Sequence, residues 1–97
     1  MIRQEGERLL VSGPVTLANV AAELESGSAA IRAGAQAVDL AGVTELDSSL
    51  LAMLLAWLRQ AKAAGGSLRF ENLPEGLLTL ARLYGVVELI PAAHASH

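Results

Sequence analysis

The sequence predicts an α/β fold in which a small mixed β-sheet of about four strands, in the order β-β-α-β-α-β-α, packs against helices. Short apolar runs typical of strands alternate with longer segments whose apolar residues recur every three or four positions, as in amphipathic helices. Turns that contain glycine separate these segments. We expect the 97 residues to form one domain over residues 1–90, followed by a frayed tail at 91–97.

The first third of the chain predicts a β-hairpin followed by a helix. The expected elements are a strand at 2–4, a turn at 5–7, a strand at 8–13 that ends at a Gly-Pro pair, and a helix at 17–32. Thr16 is the predicted N-cap of this helix. Leu17, Val20 and Leu24 fall on one apolar face of this helix. Gly27 falls on the same face, which indicates that another backbone approaches closely there.

The rest of the chain predicts two further strand–helix units. The expected elements are a strand at 35–40, a connection at 41–46, a helix that ends near 64, a strand at 68–71, a third helix after Pro74 and a last short element at 86–90. The cluster Asp47-Ser48-Ser49 is the predicted N-cap of the second helix, and Gly65-Gly66 ends it. We expect the strands after the hairpin to run parallel, because a helix connects each one to the next.

Composition excludes several classes of function. Seven Lys and Arg against ten Asp and Glu give a net charge of −3, so no basic surplus exists to bind nucleic acid. The absence of cysteine excludes disulfides and thiolate metal sites. The longest strongly apolar run, Leu50 to Leu58, is far shorter than the roughly twenty residues of a membrane-spanning helix, and the N-terminus lacks a signal peptide. We therefore expect a cytosolic protein.

No motif in the sequence indicates catalysis, a cofactor or a metal. Gly65-Gly66 precedes a strand and lacks the Lys-Ser/Thr of a phosphate-binding loop. Asp39 and Asp47 flank one loop but have no His or Lys nearby, and each has a structural role available, in the loop and at the helix N-cap respectively. His94 and His97 lie in the predicted tail without a carboxylate at a ligand-like spacing. We expect a protein that is not an enzyme.

The second helix carries more apolar surface than one sheet contact needs. One stripe suits the sheet and consists of Leu51, Leu54, Leu55 and Leu58. A second stripe beside it contains Leu50, Met53 and Trp57, and together the two cover roughly 200° of the helix. Either another helix of the domain covers the second stripe, or part of it binds a partner protein. Leu50, in the first turn, is the strongest candidate for a partner contact.

Ser48 offers a hydroxyl at the start of this helix. The free N–H groups and the positive end of the helix dipole can accept a phosphate there, which would place close to two negative charges beside Leu50. The carboxylate of Asp47 would repel that phosphate. An ordinary N-cap is the alternative interpretation of the same residues.

The segment Val38–Leu51 resembles the signature of STAS domains, named for sulphate transporters and anti-sigma factor antagonists. In that signature a strand ending V-D-L leads through a loop to D-S/T-x-G-L at a helix start. The segment Leu80–Val86, with Glu88-Leu89-Ile90, is similar to the small stand-alone STAS subunit of the Mla-type phospholipid-trafficking ABC transporter of Gram-negative bacteria. The resemblance implies a STAS-like α/β fold without catalysis.

The resemblance also implies a protein partner. In the transporter this region binds the cytosolic ATPase, which implies a cytoplasmic subunit held at the inner membrane through that partner. The implied interface is Asp47, Ser48, Ser49, Leu50, Met53 and Trp57. In anti-sigma factor antagonists a partner kinase phosphorylates the Ser or Thr that corresponds to Ser48 here. An anti-sigma factor antagonist regulated by phosphorylation of Ser48 is therefore the alternative function. The usual Gly at position 50 is Leu here, which would enlarge an apolar interface and obstruct a kinase, so Leu50 favours the transporter.

Overall fold

The structure is a computed structural model that describes residues 1–91. Its elements are β1 (Ile2–Glu5), β2 (Arg8–Val15), α1 (Val20–Arg32), β3 (Ala37–Leu46), α2 (Ser48–Ala63), β4 (Arg69–Glu71), α3 (Glu75–Leu83) and a 3₁₀ turn (Val87–Leu89). The predicted α/β class and element order are confirmed. Of the predicted tail, only Pro91 is described, and its carbonyl oxygen accepts a hydrogen bond of 2.9 Å from the N–H of Phe70. Residues 92–97 lie outside the described part.

The four strands form one mixed sheet in the order β1-β2-β3-β4. β1 and β2 are antiparallel and are joined by a tight turn at Gly6, whose φ of 63° suits glycine. β2 with β3 and β3 with β4 are parallel, as expected for strands connected through helices. The C-terminal ends of β2 and β3 therefore lie side by side at one edge, and the loops that follow them are neighbours.

The largest differences from the expected boundaries lie at the start of α1 and at the ends of β2 and β3, since β2 runs to Val15 and does not stop at the Gly-Pro pair. Helix α1 begins at Val20 rather than at Leu17, because Thr16 opens a turn in which its carbonyl oxygen accepts the N–H groups of Asn19 and Val20 at 3.0 and 2.9 Å. Strand β3 continues through residues 41–46, where the sequence predicted a connection. Those residues remain a strand because β2 also continues past Gly13 and pairs with them, with two irregularities in register.

The sheet has one face under the helices and one face open to solvent. The side chains beneath the helices are buried and include Leu9, Val11, Val38, Leu40 and Phe70. The open face carries charged side chains, with Arg8 Nη2 at 2.6 Å from Glu71 Oε1 and at 3.3 Å from Asp39 Oδ2. This asymmetry follows from the alternation of side chains along each strand.

Helix α1 covers the second apolar stripe of α2. Trp57 is completely buried, and its indole N–H donates a hydrogen bond of 3.2 Å to the carbonyl oxygen of Leu24 in α1. Gly27 is the point of closest approach, since a Cβ placed there would lie 2.9 Å from two carbon atoms of the Trp57 ring. Gly27 does mark a close approach, but the predicted backbone partner is wrong, because the neighbour is the side chain of Trp57.

Candidate protein-binding site

Two loops meet at the N-terminal end of α2, and we call the surface they form the α2 corner (residues 16–19 and 47–49). Asp47 is the N-cap of α2, and its Oδ1 accepts the N–H of Ser49 at 2.8 Å. Its other oxygen, Oδ2, accepts the N–H of Leu17 from the β2–α1 loop at 3.0 Å. The predicted capping role of Asp47 is confirmed. The same carboxylate also joins the two loops.

The environment of Asp47 keeps its carboxyl group ionised. The hydrogen bond from the N–H of Leu17, and then the one from the N–H of Ser49, lower the pKa of Asp47 below its ordinary value. Both donors stabilise the charged form, because a carboxylate accepts hydrogen bonds better than a carboxylic acid does. The α2 corner therefore carries a fixed negative charge at neutral pH.

Ser48 is exposed and is the first residue of α2, whereas Ser49 is half-buried. A shallow groove of about 320 Å³ begins at Ser48 and runs between α2 and the segment that follows α3. Its lining is mainly apolar: Leu51, Ala52, Leu55, Tyr84 and Val86. Tyr84 is 56% exposed at the rim. The corner thus leads into an apolar surface that is open to solvent.

The loop at residues 16–19 is tightly hydrogen-bonded. The N–H of Thr16 donates to Asn19 Oδ1 at 2.9 Å, and Asn19 Nδ2 donates to the carbonyl oxygen of Pro14 at 2.8 Å. The N–H of Ala18 donates to the hydroxyl of Thr16 at 3.3 Å. The side chain of Leu17 nevertheless projects into solvent, with 80% of its surface exposed.

Asp39, the other candidate for a catalytic carboxylate, has hydrogen-bond partners of its own, and they are structural. Its Oδ1 accepts the N–H of Ala41 and the side-chain amide of Asn72, both at 2.9 Å. The Asn72 hydrogen bond, and then the Ala41 one, lower the pKa of this carboxyl group. Asp39 therefore ties β3 to the end of β4. It accepts a backbone N–H as predicted, but from a position inside β3 and not in a loop that follows the strand. Nothing in this arrangement resembles an acid–base pair.

The described part of the chain lacks two further features. Within residues 1–91, no cluster of His, Asp and Glu side chains could hold a metal ion. None of the helices in that range combines the length and the apolar character that crossing a bilayer requires.

A match to a protein-family model extends along most of the chain. A family model described as "Mlab, STAS domain" matches residues 1–91. The chain belongs to the STAS domain family. The search of curated protein sequences found no match.

Solved structures share the fold of this STAS domain along nearly its full length. The MlaB subunit in the Acinetobacter MlaFEDB complex, in its ATP-bound Vtrans2 conformation, is 26% identical with a TM-score of 0.83, and the match covers 96% of this chain and 99% of that one. An anti-sigma-factor antagonist (STAS) domain protein from Planctomyces limnophilus is 20% identical with a TM-score of 0.71, covering 95% and 86%. Bacillus SpoIIAA in its phosphorylated form is 18% identical with a TM-score of 0.66, covering 96% and 89%. The two antagonist likenesses show a common fold.

Three of the predicted interface residues of this STAS domain lie on the buried side of α2, so the prediction is wrong for them. Leu50, Met53 and Trp57 are each completely buried within the domain. They face the sheet and α1, because the helical period turns positions 50, 53 and 57 toward the same interior. A partner cannot reach them in this fold, so they support the α2 corner from beneath.

The burial of Leu50 also removes an argument made from the sequence. A side chain with no exposed surface adds no area to an interface, and it does not obstruct a kinase. The replacement of the family's usual Gly by Leu50 therefore does not distinguish a transporter subunit from a phosphorylated antagonist. Of the six predicted interface residues, Asp47, Ser48 and Ser49 are the ones that the structure places at the surface.

The exposure of Leu17 was not predicted from the sequence. Its spacing from Val20 and Leu24 fits one helical face, so it was assigned to the apolar side of the first helix. Because the helix begins three residues later, Leu17 lies outside that periodicity. The backbone hydrogen bond to Asp47, thirty residues away, has no signal in the local sequence.

Proposed function

We propose that this STAS domain is a non-catalytic subunit that binds and stabilises the cytosolic ATPase of a phospholipid-transport ABC transporter. It is located in the cytoplasm, at the inner membrane through that partner. The observation that carries the proposal is the match to the MlaB subunit of the MlaFEDB complex, at 26% identity over 99% of that chain. STAS domains are generally non-catalytic, which agrees with a binding role.

The α2 corner is the proposed binding surface. It presents the ionised carboxylate of Asp47, the exposed hydroxyl of Ser48 and the exposed side chain of Leu17 within one small region. The apolar groove that begins at Ser48 extends this surface. A mixture of fixed polar groups and exposed apolar side chains is typical of sites that bind another protein.

Binding to the Mla-type ATPase of the same genome tests this proposal. We expect Ser48→Arg to weaken co-purification of the two proteins at least about tenfold, because a long cationic side chain would cover the corner and offset the negative charge of Asp47. Ser67→Arg is the matched control, since Ser67 is exposed in the loop between α2 and β4, beyond the other end of α2. Equal binding of both variants and the wild type would place the interface elsewhere. Leu50 is not suitable for this test, because a charge at that buried position would unfold the domain.

The exposure of Ser48 at a helix N-terminus favours one alternative, an anti-sigma factor antagonist regulated by phosphorylation of Ser48. Opposing it, Asp47 already accepts the N–H of Ser49 and adds its own negative charge beside the phosphate position. Incubation with the cognate kinase and ATP, followed by intact-mass measurement, separates the two functions. A phosphate on Ser48 would favour the antagonist over the transporter subunit.

A further inference from the structure

Leu17 is the most exposed of the large apolar side chains in the described chain, at 80%. It stands on a loop whose backbone is fixed at both sides: its own N–H donates to Asp47, and the flanking residues Thr16 and Asn19 bond to each other. Exposing a leucine to water is unfavourable, and a rigid loop keeps it exposed. A side chain presented in this way loses little conformational freedom when it enters a partner, which is the property of a preorganised anchor.

Carboxylates are the nearest charged side chains in sequence to most of the α2 corner. The sequence contains no Lys or Arg between Arg8 and Arg32, and none between Arg32 and Arg59. The two loops of the α2 corner come from these segments, so the charges nearest to them in sequence are carboxylates such as Glu45 and Asp47. Glu75, in the first turn of α3, is another carboxylate on this side of the domain. Its neighbour Gly76 lies close to the end of β3, since a Cβ added at Gly76 would be 3.7 Å from a methyl group of Leu46.

We propose that Leu17 is the anchor of the ATPase interface and enters an apolar pocket whose rim carries basic side chains. Asp47 is the positioning residue that holds the anchor in place. This inference rests on the proposed function and names the part of the α2 corner that supplies binding energy. The partner chemistry follows from complementarity, since an exposed leucine needs an apolar cavity and the surrounding carboxylates need positive charge.

Affinity measurements with the purified Mla-type ATPase of the same genome test the anchor. We expect Leu17→Ser to raise the dissociation constant about thirtyfold. This corresponds to about 2 kcal/mol for one leucine that becomes buried on binding. Leu89→Ser is the matched control, since Leu89 is 60% exposed in the 3₁₀ turn, and we expect less than a twofold change. Both variants should melt within a few degrees of the wild type, because each removes an exposed side chain.

A double-mutant cycle tests the role of Asp47. In Asp47→Asn, one oxygen remains to cap α2 while the amide nitrogen replaces the other acceptor, so the Asn can accept the N–H of Ser49 or of Leu17 but not both from separate oxygens. We expect this change to weaken binding more in the wild-type background than in the Leu17→Ser background, where only the loss of the Asp47 charge remains. Equal losses in both backgrounds would show that Asp47 does not act through Leu17.

Two further results would overturn the inference. If Leu17→Ser binds like the wild type while Ser48→Arg does not bind, the anchor is wrong and the proposed function stands. If the wild-type domain does not bind the ATPase, both fail. The basic rim requires that affinity fall when the salt concentration rises from about 0.05 to 0.5 M, and an affinity independent of salt would exclude it.

Discussion

Gly27→Ala tests the packing of α1 against α2, on which the burial of the second apolar stripe depends. A Cβ at position 27 would lie 2.9 Å from Cε2 and Cη2 of Trp57, and still closer to Cζ2. Carbon atoms in contact are normally separated by about 3.5–4.0 Å. Either the Trp57 ring moves or the two helices separate, because both sides of the contact lie in a filled core.

The expected cost can be worked from three contributions. Overpacking of a core costs about 1–3 kcal/mol. Moving the Trp57 ring weakens or breaks its hydrogen bond to Leu24, and an unsatisfied buried donor costs about 1–3 kcal/mol. The higher helix propensity of Ala offsets about 1 kcal/mol of this. We therefore expect Gly27→Ala to lower the free energy of unfolding by about 1–5 kcal/mol.

Urea denaturation followed by far-UV circular dichroism measures this change, and the midpoint should fall by about 1–3 M. Gly76→Ala is the matched control, since Gly76 is an exposed helical glycine whose added Cβ would meet only Leu46, at 3.7 Å. That substitution should raise stability by about 0.5 kcal/mol. Trp57→Phe removes part of the ring that obstructs the new methyl group, so Gly27→Ala should cost less in that background.

The stability changes of the two alanine variants test whether α1 packs closely on Trp57. If Gly27→Ala leaves the urea midpoint unchanged, or if both alanine variants destabilise equally, the close packing of α1 on Trp57 is wrong. A cost of Gly27→Ala that is the same with Trp and with Phe at position 57 would lead to the same conclusion.

Two other predictions concern single residues of α2 and its cap. Leu50→Ala should lower the free energy of unfolding by about 2–5 kcal/mol, because it leaves a cavity in the core, and a loss below about 1 kcal/mol in urea titration would show that Leu50 is not buried. Asp47 should titrate below the ordinary Asp pKa of about 3.9 in an NMR titration, because its pKa is lowered in the folded state. Its contribution to stability is then complete above that ordinary value and is lost as the pH falls through the lowered pKa. Asp47→Asn should therefore show a weaker loss of stability with acid than the wild type, and an unchanged acid transition would contradict this assignment.

The element order was predictable because it depends on local signals. Apolar periodicity marked the three helices, and the glycine-containing turn after Glu5 marked the hairpin. Asp47 was predicted as a cap because an Asp directly before an apolar helix can accept one of the free N–H groups of the first turn. The end of β3 was not predictable, because residues 41–46 are a strand through their pairing with β2 and not through their own pattern.

The candidate site was predictable only in part, and the reason is visible in α2. The sequence showed that the helix has two apolar stripes, but a helical wheel gives the angle of a side chain and not what lies opposite it. Leu50, Met53 and Trp57 were therefore predicted to contact a partner, whereas the structure buries all three in the domain's own core. The exposure of Leu17 was missed for the opposite reason, since its spacing suggested a buried helical position.

The α/β class, the order of the elements, the cap at Asp47 and the STAS resemblance could all be predicted from the amino-acid sequence, because each depends on residues close together in the chain. The apolar residues that remain in water could be identified only from the folded domain. Their exposure depends on contacts between distant segments, such as Gly27 with Trp57 and the N–H of Leu17 with Asp47. A surface for a partner is whatever apolar area the domain's own packing leaves uncovered, and packing is a property of the whole chain.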